Sequence, residues 1–269
     1  MMLVIYGVLA QLPIADLFIA GIIPGLMLTH GFFVVVAVIG LWQQFPKSEW
    51  MTLREALGAL ASAAPAALIP AVIVGSILFG LATPTESAGI ASVMSMLIGI
   101  LIYRELDLSR FLAIFVRVAI SSSMVIFLIA AANVFGWVVI YEALPQKLTA
   151  MIVETTRDPL IFLLIVMVLL LFVGMVIDGI AALILVVPIL LPVATEVYGI
   201  HPVQFGLVIS LNLVLGLLTP PVGAGLYISA AMSGAKPMAI FAQLTPFLLT
   251  ALVVLLLMCI FPQLTLALL

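Results

Sequence analysis

Thr219, Pro220 and Pro221 stand together in NLVLGLLTPPVGAGLYI (212–228), a stretch that otherwise reads as apolar helix. A proline lacks the N–H that would meet the carbonyl four residues back. Pro220 is therefore expected to release the carbonyl of Gly216, and Pro221 that of Leu217. Thr219 adds a hydroxyl and a carbonyl of its own, while Gly223 and Gly225 weaken the turn that follows. Oxygens clustered between Gly216 and Val222 are the donors that hold sodium where helices break inside a membrane, and the bare N–H groups of the next half-helix suit an anion. Pro220 fits the first position of that half-helix, with Thr219 as its N-cap. The plainer alternative is a proline kink repaired by a neighbouring hydroxyl; a proline pair flanked by glycines weighs toward the ion site.

TPTE (83–86) makes a contrast. Thr83 can cap a helix, Pro84 takes its first position and Glu86 its third, which is the arrangement of a capping box. Glu86 is then either a structural cap or a ligand or proton carrier. TPPV has no acid at the matching Val222, so its helix end is left open. Asp178, in GMVIDGIAALILVVPILLPVA (174–194), is the acid lying deepest within an apolar block. Intramembrane acids are functional candidates; the structural alternative is a cap for a turn at Gly179. Pro188 and Pro192, farther along, are expected to free the carbonyls of Ile184 and Pro188.

Little else in the chain could do chemistry. His30 and His201 lie near the ends of apolar runs, with no second histidine or paired acid at ligand spacing, so no metal other than sodium is indicated. No nucleophile motif or phosphate loop is present, and no catalytic residue is assigned. The single Cys259 excludes an internal disulfide. Asn133, Asn212, Ser121 to Ser123 and Ser210 read as interhelical hydrogen-bonding groups, with Asn212 also kept as a substrate or helix-break candidate. An intramembrane aspartyl hydrolase would rest on Asp178 alone and lacks a second membrane acid.

These groups act in lipid. Of 269 residues 67% are hydrophobic and 7% charged, with mean hydropathy +1.50, against roughly 45–50% apolar and about 25% charged in soluble domains. Apolar runs near the ~20 residues that cross a bilayer as helix indicate an all-α polytopic membrane protein. The net charge of -3 is spread thinly, and no basic tract suggests nucleic acid.

Spans are predicted over Leu17–Phe45, kinked near Pro24 and Gly25, Ala56–Leu81, Ala88–Tyr103 and Phe111–Tyr141. The block from 160 to 198 reads as two helices joined by a sharp polar turn. A broken helix over 203–233 and a last span over Ala239–Phe261 follow. With this topology Lys47, Arg54, Arg104, Arg110, Arg117 and Lys236 share one face, the cytoplasmic one by the positive-inside rule, and Lys147 and Arg157 are exceptions.

Taken together, ADLFIAGIIPG (15–25), GLATPTESAGI (80–90), GMVIDGIAALILVVPILLPVA (174–194) and NLVLGLLTPPVG (212–223) resemble the large permease subunit of the tripartite ATP-independent periplasmic (TRAP) transporters. The resemblance implies an elevator-type secondary transporter of the bacterial inner membrane. Such a system uses sodium to import organic acids (carboxylates) delivered by a periplasmic substrate-binding protein, with a small permease subunit as partner. It implies a re-entrant hairpin over about 160–198, paired with the discontinuous helix over about 203–233. Sodium would be held by Gly174, Gly216, Thr219 and Val222. Asp178, Asn212, Pro220, Pro221 and Gly223, with Thr83, Pro84 and Glu86, would mark the substrate-facing breaks. Residues 1–110 would be the end of a first inverted repeat and its connecting helices, and 111–269 a second repeat. MMLVIYGVLA resembles the stretch just after a first proline-pair motif, so the first hairpin is expected to be missing and a truncated, non-transporting remnant or fragment is the alternative.

Overall fold

The structure is a computed structural model that describes residues 1–43, 52–104, 107–143 and 156–269. Among the described residues all regular structure is helical. Six helices among the described residues are long and apolar enough to cross a membrane, and the protein is an all-α polytopic membrane protein. The chain divides into two compact units, one of Met1–Gln43 with Phe127–Leu269 and one of Gln44–Ile126. Several expected features lie outside the described residues: the end of the first span at Phe45, the loop with Lys47, and the connector with Lys147 and Glu154.

The smaller unit contains α4 (Leu53–Leu78), α5 (Pro84–Leu97), the π-helical turn Ile98–Ile102 and the start of α6 (Leu108–Tyr141). Both α4 and α5 begin with a capping box. Thr52 pairs with Glu55 and Thr83 with Glu86, each carboxylate accepting the threonine N–H and hydroxyl at 2.8 Å. Pro84 occupies the first turn, where its missing N–H is harmless. The buried Ser87 meets Ser76 at 2.8 Å, which ties α5 to α4.

The larger unit begins with α1 (Met2–Ala10), α2 (Ile14–Ala20) and α3 (Ile22–Trp42). Its C-terminal part is α7 (Pro159–Val176), α8 (Gly179–Pro192) with a π-helical turn at Val193–Val197, α9 (Pro202–Leu217), α10 (Ala224–Ser233), α11 (Pro237–Ile260) and α12 (Gln263–Leu266). The expected kink in the first span is a break at Gly21. Pro24 has no N–H for the carbonyl of Ala20, the last residue of α2.

Helix α9 is the core of this unit; every residue from Val203 to Ser210 is buried. Its neighbours are fastened to it by side chains that bond to backbone. The Tyr6 hydroxyl of α1 donates to the Pro202 carbonyl at 2.6 Å, and the ring occupies the notch left by Gly206. Gln204 donates to the Met258 carbonyl of α11 at 3.1 Å. Asn212 donates to the Met167 carbonyl of α7 at 2.7 Å. The base of the α7–α8 hairpin is closed by Phe162 stacked on Tyr198, with ring centroids 4.4 Å apart, and by the Tyr198 hydroxyl on the Thr156 carbonyl.

Candidate functional site

Contacts along the α7–α9 seam rise in step. Met167 meets Asn212, while Gly174 lies against Leu213 and Gly216, so the two helices run parallel. They end together, at Val176 and Leu217. The glycines make this possible: a Cβ on Gly216 would lie 2.7 Å from the Gly174 Cα, and one on Gly174 would lie 3.1 Å from the Gly216 Cα. Backbone closeness of this kind is how helices associate in lipid, where van der Waals contact and hydrogen bonds replace hydrophobic drive.

Two parallel C-termini side by side add their partial negative charges, roughly half an elementary charge each. The carbonyl of Gly174 receives no donor among the described residues: its α-helical partner would be the Asp178 N–H, which lies beyond the end of α7 as the N-cap of α8. Leu217, Leu218 and Thr219 likewise present carbonyls with no donor among the described residues. Met175 is the exception at this end; its carbonyl accepts the Gly223 N–H at 3.0 Å, which stitches the second break to the first.

The proline pair does not act quite as its spacing predicts. The Gly216 carbonyl is not orphaned by Pro220: the Thr219 N–H closes back onto it at 2.9 Å, a tight last turn in place of the lost bond. The Leu217 carbonyl is freed, as expected of Pro221. Thr219 is not an N-cap and Pro220 does not start the second half-helix. The Thr219 hydroxyl donates to the Leu215 carbonyl at 2.7 Å, completing the end of α9. The chain then passes through a cis Pro220–Pro221 peptide to Gly223, which adopts the left-handed φ of 35° and precedes α10. A Cβ there would lie 2.7 Å from the Thr219 carbonyl oxygen, so glycine is required twice over, by φ and by space.

The first turn of α10 has no side-chain cap. By contrast α8 is capped by Asp178, whose carboxylate accepts the Ile180 N–H at 3.0 Å, and α9 by His201 Nδ1 on the Val203 N–H. Asp178 is exposed at the hairpin tip and does the capping work that was one of its two readings. Glu86 likewise is a cap, in the smaller unit, within its box with Thr83 and Pro84. Val222 is exposed and Pro221 lies beside it on the rim. Asn212 is fully buried, and its Oδ1 has no partner among the described residues. The carbonyls expected to be freed by Pro188 and Pro192 cause no break in α8; the helix continues and gives way only afterwards to the π-helical turn.

Two features carry no local sequence signal. The Gly223–Met175 bond joins residues 48 apart, and no local pattern announces it. Register of α7 on α9 is a tertiary fact. The Thr52–Glu55 box, by contrast, was visible in TLRE by the same spacing used for TPTE.

The chain as a whole can be compared with known proteins through its sequence. Residues 1–264 match the family described as the tripartite ATP-independent periplasmic transporter, DctM component. The chain belongs to this family. It is 38% identical over 271 residues to the sialic acid TRAP transporter large permease protein SiaM of Vibrio cholerae, covering 99% of this chain and 62% of the relative. It is 32% identical over 266 residues to the C4-dicarboxylate TRAP transporter large permease protein DctM of Pseudomonas aeruginosa, covering 99% and 62%. A sialic acid TRAP transporter permease protein, SiaT of Haemophilus influenzae, is 33% identical over 261 residues, or 97% of this chain and 42% of the relative. The chain thus spans under two thirds of the length of these relatives. They are transporter permeases, not enzymes, and the DctM-family chain is a multi-pass protein of the bacterial inner membrane.

Proposed function

We propose that this chain forms part of the membrane subunit of a sodium-coupled secondary transporter that imports organic acids. A periplasmic binding protein delivers the substrate and a small permease subunit completes the membrane complex. One observation supports the reading most: the parallel ends of α7 and α9, packed backbone to backbone at Gly174 and Gly216, leave the carbonyls of Gly174, Leu217, Leu218 and Thr219 without a donor among the described residues, beside the first turn of α10, which has no side-chain cap. Carbonyl oxygens and helix C-termini favour a small cation, and bare N–H groups favour a carboxylate. Sodium held by Gly174, Gly216, Thr219 and Val222 would offset the negative field of the two helix ends. Binding of one ion then favours the nearby anion electrostatically, which is the coupling a symporter needs.

The substrate class is a carboxylate, in keeping with the relatives named for sialic acid and C4-dicarboxylates. The repeat organisation, with 111–269 as one inverted repeat and an elevator-like movement, belongs to the same proposal. The test is uptake of labelled sialic acid and succinate into proteoliposomes holding the chain, its small subunit and binding protein, with an inward sodium gradient or with choline. Uptake that ignores sodium, or is unchanged by Thr219→Val and Pro221→Ala, sinks the reading. Because the chain spans under two thirds of its relatives, the second reading is a non-transporting fragment, for which the same vesicles show no uptake under either gradient.

A further inference from the structure

We propose that Asn212 is a positioning residue that sets the register of α7 on α9, and so brings the two helix ends level. In the seam between these helices Leu213 of α9 lies against Gly174, and Leu163 and Leu170 of α7 are buried. Apolar seams tolerate slippage by a helical turn, and a single buried asparagine is a device that selects one register among near-equivalent ones. Asn212 is fully buried, and its Nδ2 donates to the Met167 carbonyl at 2.7 Å. It stands one turn before Gly216, as Met167 stands one turn before Leu171, whose carbonyl oxygen also lies against Gly216. The one register in which the amide meets that carbonyl is therefore the register in which the two glycines meet.

The amide is not present for stability alone. Its Oδ1 is buried with no partner among the described residues, a penalty that an apolar side chain would avoid. What an apolar side chain could not supply is the directed N–H. Displacement by one turn would separate Gly174 from Gly216, and would pull the Gly223 N–H from the Met175 carbonyl. Asn212 thus acts on the ion through the backbone oxygens it aligns, without touching the ion. This consequence for sodium rests on the function proposed above, whereas the register role does not.

The register is read by cross-linking the chain in lipid nanodiscs. Val176 and Val222 are exposed neighbours of the Met175–Gly223 bond, and Phe172 is exposed one turn away. In a Cys259→Ala background, a short bis-maleimide should join the pair Val176→Cys and Val222→Cys in preference to Phe172→Cys and Val222→Cys. Asn212→Leu, and the isosteric Asn212→Asp as a second variant, should abolish that preference. Asn212→Leu should at the same time melt in KCl no lower than the parent. Without the cysteines, the sodium concentration that half-protects the chain against heat, in NaCl against KCl, should rise roughly tenfold in Asn212→Leu, as when a group that orients metal ligands is removed. A preference kept by either folded variant overturns the register role. Heat protection identical in sodium and potassium for the parent chain overturns the sodium reading, while the cross-links still decide the role of Asn212.

Discussion

Gly174 and Gly216 pack backbone against backbone at the ends of two parallel helices, with only 2.7 Å between the Gly174 Cα and the place a Cβ on Gly216 would occupy. Neither neighbour is a flexible side-chain end that could swing away. Gly216→Ala should therefore push α9 from α7 and destabilise the chain by roughly 1–3 kcal/mol, the usual result of overpacking. Gly174→Ala, whose closest neighbours would stand at 3.1 Å, should do so less. Thermal melts of both variants in detergent give the order, and a Gly216→Ala chain that melts like the parent would contradict the packing described.

Gly223 carries strain of a second kind. Its φ of 35° is left-handed, and the Thr219 carbonyl oxygen fills the space a side chain would need. Gly199 has φ 64° with open space around it, so it isolates the backbone part of the effect. Gly199→Ala should lose about 1–2 kcal/mol, the left-handed penalty for an L-residue. Gly223→Ala should lose clearly more, because its Cβ would also meet the Thr219 carbonyl oxygen and push the N–H away from Met175. Equal losses in urea or thermal denaturation would mean that the tie between the two breaks contributes nothing.

Tyr6 and Gly206 offer a coupling that can be measured. The ring lies where a Gly206 Cβ would stand, and the hydroxyl holds the Pro202 carbonyl. Tyr6→Phe should lose about 1 kcal/mol for the hydrogen bond alone. Gly206→Ala should be worse, and Tyr6→Ala combined with Gly206→Ala should lose less than the sum of the single changes, since the smaller residue vacates the notch. For residues in contact such a cycle gives interaction energies of about 0.5–3 kcal/mol; strict additivity would refute the notch.

The sequence displayed these elements unevenly. Hairpin and broken helix were legible because proline, glycine and a lone acid interrupt apolar runs long enough to span. What was not legible is which carbonyl each proline frees. Local rules assign the loss to Gly216, but the Thr219 N–H turns back to repair it with a bond three residues back that tightens the last turn of α9. The start of α10 is set by a distant partner. Pro220 looks like a first helical residue on its own, yet the Gly223 N–H is claimed by Met175, 48 residues earlier, and the helix begins only after it. Tertiary hydrogen bonds of this kind have no local signature. Capping boxes do have one, which is why the boxes at Thr83 and Thr52 follow from spacing alone.

Glu86 separates capping from ion chemistry in one experiment. Its carboxylate is exposed and accepts both the N–H and the hydroxyl of Thr83, so all that the helix end asks of it is an acceptor. Glu86→Gln keeps an acceptor and loses the charge. If the residue is only a cap, that variant should show the same dependence on sodium and on external pH as the parent in proteoliposome uptake. Thr83→Ala, which removes the cap itself, should lower stability by about 1 kcal/mol. A proton carrier would behave in the opposite way, with Glu86→Gln flattening the pH profile and Thr83→Ala leaving it in place. By comparison Thr219→Val should raise the sodium requirement, because it removes the hydroxyl that finishes the end of α9 beside the bare carbonyls. Loss of sodium dependence in Glu86→Gln but not in Thr219→Val would move the ion from the α7–α9 ends to the smaller unit.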